Sequence, residues 1–349
     1  MNKALTIMNN TTELPDIAPS AETGGLGIMH LKRFWNKAQL KKQNLLSANA
    51  YHQEWQTDKT LLSALGIGLE QCIIYMYNSA PTFEQLEKWI VDTAGVPSAE
   101  TIKRFNNTIH PPANDSGTGQ TPTIIAAAQL DFWDKNGYII IKNAVPRQDC
   151  DATIEVICNH IGVERDNPHT WYKPHPAKQG IMVQLFQHPL LEKNRRSAKI
   201  RMAFEQLWQR TDIWLNTDRT GFNPPETDTW KFPGPDLHWD CALTLPIPFG
   251  LQGILYLADT AANQGAFTLV PRFQHQIKNW LDGLAPGTDP SRQNLHALGS
   301  IPITASAGDF IIWHHALPHG SSPNTSDVPR FVQYIKYEPA NAPESYPAK

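Results

Sequence analysis

Apolar residues along this chain change their period near its middle. From Leu26 to Tyr77 they recur at helical spacing: Trp35, Ala38, Leu40 and Leu45-Leu46 among lysines, then Leu61-Leu62, Leu65, Leu69 and Cys72-Ile73. Pro81-Thr82 predicts another helix start, with Thr82 as cap, Gln85 at the capping-box position and Leu86, Trp89 and Ile90 on the buried face. Ser98, with Thr101 and Ile102 after it, predicts one more short helix. Residues 106–123 are dense in Asn, Pro, Gly, Ser and Thr and predict a linker. Beyond it the pattern gives a helix over Ala126–Asn136 stopped by Gly137, a strand over Tyr138–Val145, and a helix over Arg147–Ile161. Lys193–Arg210 is expected as one long amphipathic helix presenting Ile200, Phe204, Leu207 and Trp208.

After that helix the character is different. "DIWLNTDRTGFNPP", "LHWDCALTL", "GLQGILYLA", "GAFTLVP", "IPITASAGDFIIWHH" and "PRFVQYIKYEP" are short β-rich runs punctuated by Pro and Gly. Such spacing predicts antiparallel sheets closed into a sandwich or barrel, as in a jelly roll. Helices first and strands later make the expected class α+β. The expected division is a tail over 1–25, a helical N-terminal extension over 26–105, the linker over 106–123, a β-rich domain over 124–340 and a tail over 341–349.

Composition narrows the partners. With 349 residues, 41% hydrophobic and 18% charged, the chain can bury a large core. A net charge of -3 argues against nucleic acid or an anionic membrane surface as partner. The longest apolar runs are far too short to span a bilayer, and the N-terminus shows no signal-peptide pattern. Cys72, Cys150, Cys158 and Cys241 include no Cys-x-x-Cys pair, so buried reduced thiols and a cytoplasmic location are expected.

Candidate chemistry concentrates between Leu237 and Arg330. His238 and Asp240 are two apart on a predicted strand, so both side chains leave one face and could share a metal ion. A third ligand must come from elsewhere, with His314, His315 and His319 as candidates. Two histidines and a carboxylate on one face of an octahedron leave three open positions, the arrangement of non-haem iron(II) oxygenases. Arg330 opens an apolar strand pattern, where a buried guanidinium requires an anionic partner: a carboxylate of the chain or a dicarboxylate co-substrate.

Residues from about Gln129 to Pro339 resemble the phytanoyl-CoA dioxygenase family of iron(II)- and 2-oxoglutarate-dependent oxygenases. The resemblance is carried by "LDFWDKNGYIIIKNAV", "HWD", "NQGAFTLVPRFQH" and "GDFIIWHHALPHGSSPNTSDVPR", the last being the most specific. It implies a double-stranded β-helix core (jelly-roll, cupin-like) with flanking helices. It also implies His238, Asp240 and His319 as iron(II) ligands, Arg330 and Ser321 at the distal carboxylate of 2-oxoglutarate, and Tyr256 as an aromatic against the same co-substrate. The activity it implies consumes dioxygen and 2-oxoglutarate, releases succinate and carbon dioxide, and hydroxylates an unactivated C–H bond of a small molecule. Pro271-Arg272-Phe273-Gln274-His275 departs from the family's usual Pro-Gly-Ser-His, which makes His275 structural. Gln184, Asp218, Arg219 and Trp239 are the candidate substrate-lining residues. Competing readings are a non-catalytic ligand-binding protein of the same fold and a zinc hydrolase using the same three ligands, which has no need of Arg330.

Overall fold

The computed structural model of the chain describes residues 17–111, 121 and 123–340. Most of the expected linker, the tail up to residue 16 and the tail 341–349 lie outside the described residues. Six helices come first: α1 (Leu31–Lys42), α2 (Ala48–His52), α3 (Trp55–Leu65), α4 (Leu69–Ser79), α5 (Phe83–Ala94) and α6 (Ala99–Ile109). Thr82 and Gln85 form the expected reciprocal capping box on α5, and Ser98 caps α6 through Thr101 N at 3.1 Å. Their apolar faces converge on Ile28, Phe34, Leu61, Leu86 and Phe105, all at most 1% exposed. One polar knot is buried with them: Lys37 Nζ and His30 Nε2 both lie 2.9 Å from the Asp58 carboxylate. That geometry satisfies a buried charge that would otherwise be costly.

Then follow α7 (Ala127–Asn136), β1 (Tyr138–Ile141), α8 (Arg147–Ile161), α9 (Pro168–Trp171), β2 (Lys178–Gln179) and β3 (Met182–Val183). The single helix expected over Lys193–Arg210 is two, α10 (Pro189–Arg195) and α11 (Ala198–Trp208). Ser197 breaks them: its backbone is extended and its hydroxyl accepts from Ile200 N as the cap of α11. The remaining elements are β4 (Ile213–Leu215), β5 (Thr220–Asn223), β6 (Leu251–Tyr256), β7 (Thr268–Leu269), α12 (Ile277–Asp282), β8 (Ile301–Pro302), β9 (Phe310–His314), β10 (His319–Gly320), β11 (Arg330–Tyr334) and β12 (Tyr337–Pro339).

The α+β class holds, but the closed double-stranded β-helix, or jelly roll, does not. Seven strands form one open antiparallel sheet in the order β1-β9-β6-β11-β5-β3-β2, with β1 and β2 as free edges. A separate three-stranded ladder, β10-β7-β8, and a β12-β4 pair complete the strands. The three-stranded ladder has only two residues per strand, too little pairing to carry hydrogen bonds around to the edges of the large sheet.

Alternation along the central strands sends the side chains to two different cores. Phe310 and Ile312 of β9 join Ile154 of α8 and Phe204 and Trp208 of α11. Ile311 and Trp313 face the other way, with Ile254, Tyr256, Phe267 and Leu317. That second face carries the site. Among the described residues no single helix is long and apolar enough to cross a membrane.

Candidate metal centre

The stretch "LHWDCALTL" is not the strand its pattern suggests. It contributes a single β-bridge, in which His238 N donates to His319 O at 2.9 Å and His319 N returns the bond to His238 O at 3.0 Å. Pro233, Pro235, Pro246 and Pro248 surround it, and each removes a backbone donor that a ladder would need. The bridge is enough to set the two imidazoles side by side, with ring centres 4.9 Å apart.

Each ring is oriented from behind. His238 Nδ1 lies 2.7 Å from Asp236 O, and His319 Nδ1 lies 3.0 Å from Leu317 O. A carbonyl only accepts, so each Nδ1 carries a proton, and each Nε2 is the nitrogen turned forward, the one a metal ion would take. Both Nε2 atoms face the Asp240 carboxylate, at 3.3 Å to Oδ1 and 3.4 Å to Oδ2. One ligand atom from each of the three residues lies within 4.8 Å of the others.

Electrostatics agree with this geometry. Burial alone would raise the Asp240 carboxyl, but hydrogen bonds and charge from His238 and His319 outweigh it and hold it well below the usual carboxylate range. Burial would lower His238, yet Asp240 and the Asp236 carbonyl raise it. Gln252 Nε2 donates to Asp240 Oδ2 at 2.5 Å and fixes the carboxylate plane. His314 and His315 stay outside the cluster. His314 Nδ1 accepts from Ala316 N at 2.9 Å, and burial pushes the ring down to about 3. His315 Nε2 is held on Pro248 O, and burial pushes that ring down to about 4.

Arg330 is wholly buried on β11. Its Nη2 donates to Ser321 Oγ at 3.0 Å, while Nε and Nη1 have no hydrogen-bond partner among the described residues. A guanidinium held in this state calls for an anion able to accept parallel bonds, and a carboxylate end does so. Both the donor set and this buried guanidinium therefore fit iron(II) with 2-oxoglutarate.

A cavity of about 320 Å³ opens on the three ligands and Ser321. Of the expected lining residues, Asp218 and Arg219 are on its wall. Arg219 is also ion-paired to Glu70 of α4, so the N-terminal helices reach the wall. Trp239, Gln184 and Tyr256 are not on it. Trp239 instead anchors the ligand segment: Nε1 donates to Ala316 O at 2.9 Å, and the ring packs on Phe273 and Trp280. The Gln184 amide donates to Gln179 Oε1 at 2.9 Å. The Tyr256 hydroxyl donates to Ile303 O and accepts from Phe267 N, both at 2.8 Å, bracing the sheet beneath the site.

The lining residues missed from the sequence include Gln252, Trp313, Tyr334 and Lys336. Gln252 left a signal, being the lone polar side chain of the apolar run "GLQGILYLA", whereas Lys336 shares its run with Gln333 and Glu338. Lys336 is paired with Glu338 at 2.8 Å, and Glu338 with Lys59 of α3 at 3.2 Å, a second tie to the N-terminal helices.

Two imidazoles, one carboxylate and a buried guanidinium on this antiparallel scaffold define a non-haem iron(II)- and 2-oxoglutarate-dependent enzyme. The sequence model of the phytanoyl-CoA dioxygenase (PhyH) family matches residues 133–332, more than half of the chain, and the chain belongs to that family. A Dictyostelium discoideum protein named provisionally as a phytanoyl-CoA dioxygenase is 22% identical over 267 residues, covering 62% of this chain and 76% of the relative. Among solved structures, the epimerase SnoN from nogalamycin biosynthesis aligns at 15% identity and TM-score 0.45, covering 61% of this chain and 82% of that one. The carbocyclase SnoK from the same biosynthesis aligns at 16% and 0.44 (65% and 88%). EctD from S. alaskensis with bound iron aligns at 17% and 0.45 (68% and 88%).

Proposed function

We propose that this enzyme hydroxylates an unactivated C–H bond of a small polar metabolite, converting 2-oxoglutarate to succinate and carbon dioxide. His238, Asp240 and His319 would hold the iron, and Arg330 with Ser321 the distal carboxylate of 2-oxoglutarate. The bound pair supplies activation of dioxygen coupled to oxidative decarboxylation. The chain itself presents two Nε2 nitrogens and one carboxylate, and keeps all three from rotating. It also provides a buried positive charge whose unpaired donors wait for an anion. That buried, half-satisfied Arg330, bonded to Ser321 on the cavity wall, is the observation that carries the reading, because a zinc hydrolase has no need of a dicarboxylate clamp.

Cavity size and lining support the substrate class. About 320 Å³ sits at the small end of ligand pockets. Its wall mixes Asp218, Arg219 and Lys336 with Phe267, Trp313 and Met182, which suits a polar molecule with an apolar edge. The test is anaerobic titration with iron(II) and then 2-oxoglutarate, watching for the weak visible charge-transfer absorption of the chelated keto acid. Its absence in folded, metal-loaded protein refutes the co-substrate assignment. Succinate release over a panel of polar metabolites, with incorporation of one atom from labelled dioxygen, then separates hydroxylation from epimerisation or ring closure.

A further inference from the structure

A second cavity, of about 990 Å³, lies away from the metal centre, between helices α3, α5 and α6 on one side and α10, α11 and β4 on the other. Four guanidiniums line it: Arg104, Arg195, Arg196 and Arg201. Their counter-charges do not add up. Arg201 pairs with Glu205 at 2.7 Å. Arg196 and Arg195 share one carboxylate, Glu192, at 2.6 and 3.5 Å. Among the described residues Arg104 has no carboxylate within ion-pair distance; its Nη2 donates to Ile213 O at 2.7 Å, and its plane lies 3.8 Å over the Trp214 ring. Asp212, itself paired with Arg210, and Glu100 on the rim act on Arg104 only through space.

Arg195 is 1% exposed. Its Nη2 holds the carbonyls of Phe186 and Asp218 at 2.5 and 2.6 Å, and its Nε has no partner. Backbone carbonyls account for Nη2 and Glu192 for Nη1, which leaves Nε over. Burial and the neighbouring charge of Arg201 both press Arg104 downward, as expected of cations gathered without enough anion.

We propose that this cleft is a second binding site, for a phosphate-bearing small molecule gripped by Arg104, Arg195 and Arg196. Guanidiniums arriving from two helices on opposite walls suit a tetrahedral dianion, which accepts on several faces, better than a planar carboxylate, which uses one fork. The volume falls in the range of metabolite pockets of about 300–1,000 Å³. The site does not depend on the iron reading. It does share a wall with the metal cavity, because Thr217 lines one cavity and the next two residues, Asp218 and Arg219, line the other.

Calorimetric titration of pyrophosphate into the full, metal-free chain at low salt tests this. One saturable site is expected, weakened at least about tenfold by R104Q through loss of a charge-assisted contact and tightened by E100Q, with succinate binding far more weakly. Should R104Q fail to fold, R196Q serves, since Arg196 is an exposed side chain. The proposal is overturned if folded wild-type protein shows no saturable site, or if affinity is unchanged in the folded arginine variants. It is also overturned if R330Q rather than these variants abolishes binding, or if succinate binds as tightly as pyrophosphate.

Discussion

Replacing Arg330 by Met should stabilise the protein without ligand while removing its response to 2-oxoglutarate. The guanidinium is wholly buried, makes one side-chain bond to Ser321, and leaves Nε and Nη1 unpartnered. Each unsatisfied buried donor costs about 1–3 kcal/mol, whereas the single bond to Ser321, being charge-assisted, contributes about 1.5–3 kcal/mol. Two penalties against one bond leave a net gain of about 1–3 kcal/mol for an apolar side chain of similar length. For a chain of this size that is a rise of roughly 1–4 °C in melting temperature. Wild-type protein should instead gain about 2.7 kcal/mol from 2-oxoglutarate at a hundred times its Kd, and R330M nothing. Anaerobic thermal unfolding with manganese(II), with and without 2-oxoglutarate, reads both effects. A ligand-free R330M destabilised by about 3 kcal/mol or more would show a guanidinium already satisfied by the fold, and the reasoning would fail.

Asp240→Ala should abolish stoichiometric iron(II) binding and the charge-transfer absorption while the protein remains folded; metal analysis after desalting checks this. Tyr256→Phe removes the partner of Ile303 O and Phe267 N and should cost about 2–4 kcal/mol in denaturant unfolding. Its affinity for 2-oxoglutarate should be unchanged, and a large loss of affinity would restore the co-substrate role expected from sequence. Glu54 is pushed up by burial but pulled down further by Arg33 and Lys37, to about 2. A carboxyl lowered on folding stabilises above its unfolded value of about 4.3, and that contribution disappears as pH falls towards 2. Glu54→Gln should therefore be less stable at neutral pH and show a shallower loss between those two values in acid unfolding followed by fluorescence.

Sequence legibility followed interaction range. Thr82 with Gln85, Ser98 with Thr101, and Gly137 act within one helix turn, and each lies where its local pattern placed it. The grouping of His238, Asp240 and His319 was legible because the residue types and spacing of metal ligands are restricted by the chemistry. Closure of the sheet was not, since strand patterns of alternating residues are the same in an open sheet and a barrel; only partner choice separates them. The backbone bonds of Tyr256 were hidden for a related reason: an aromatic on the correct strand face can point at a ligand or at two backbone groups, and spacing does not tell which. Arg219 looked like a surface or substrate residue, and its pairing with Glu70 spans too much of the chain to be seen from either end.

The ties of Glu70 to Arg219 and of Lys59 through Glu338 to Lys336 bear on what can be transplanted. A segment cut at 133–332 keeps all three metal ligands, Ser321 and Arg330, but discards Lys336 and both helices that brace the cavity wall. Moved into another scaffold, it would keep the three ligands and most of the cavity wall but lose Lys336 and the helices that hold Arg219 and Glu338 in place.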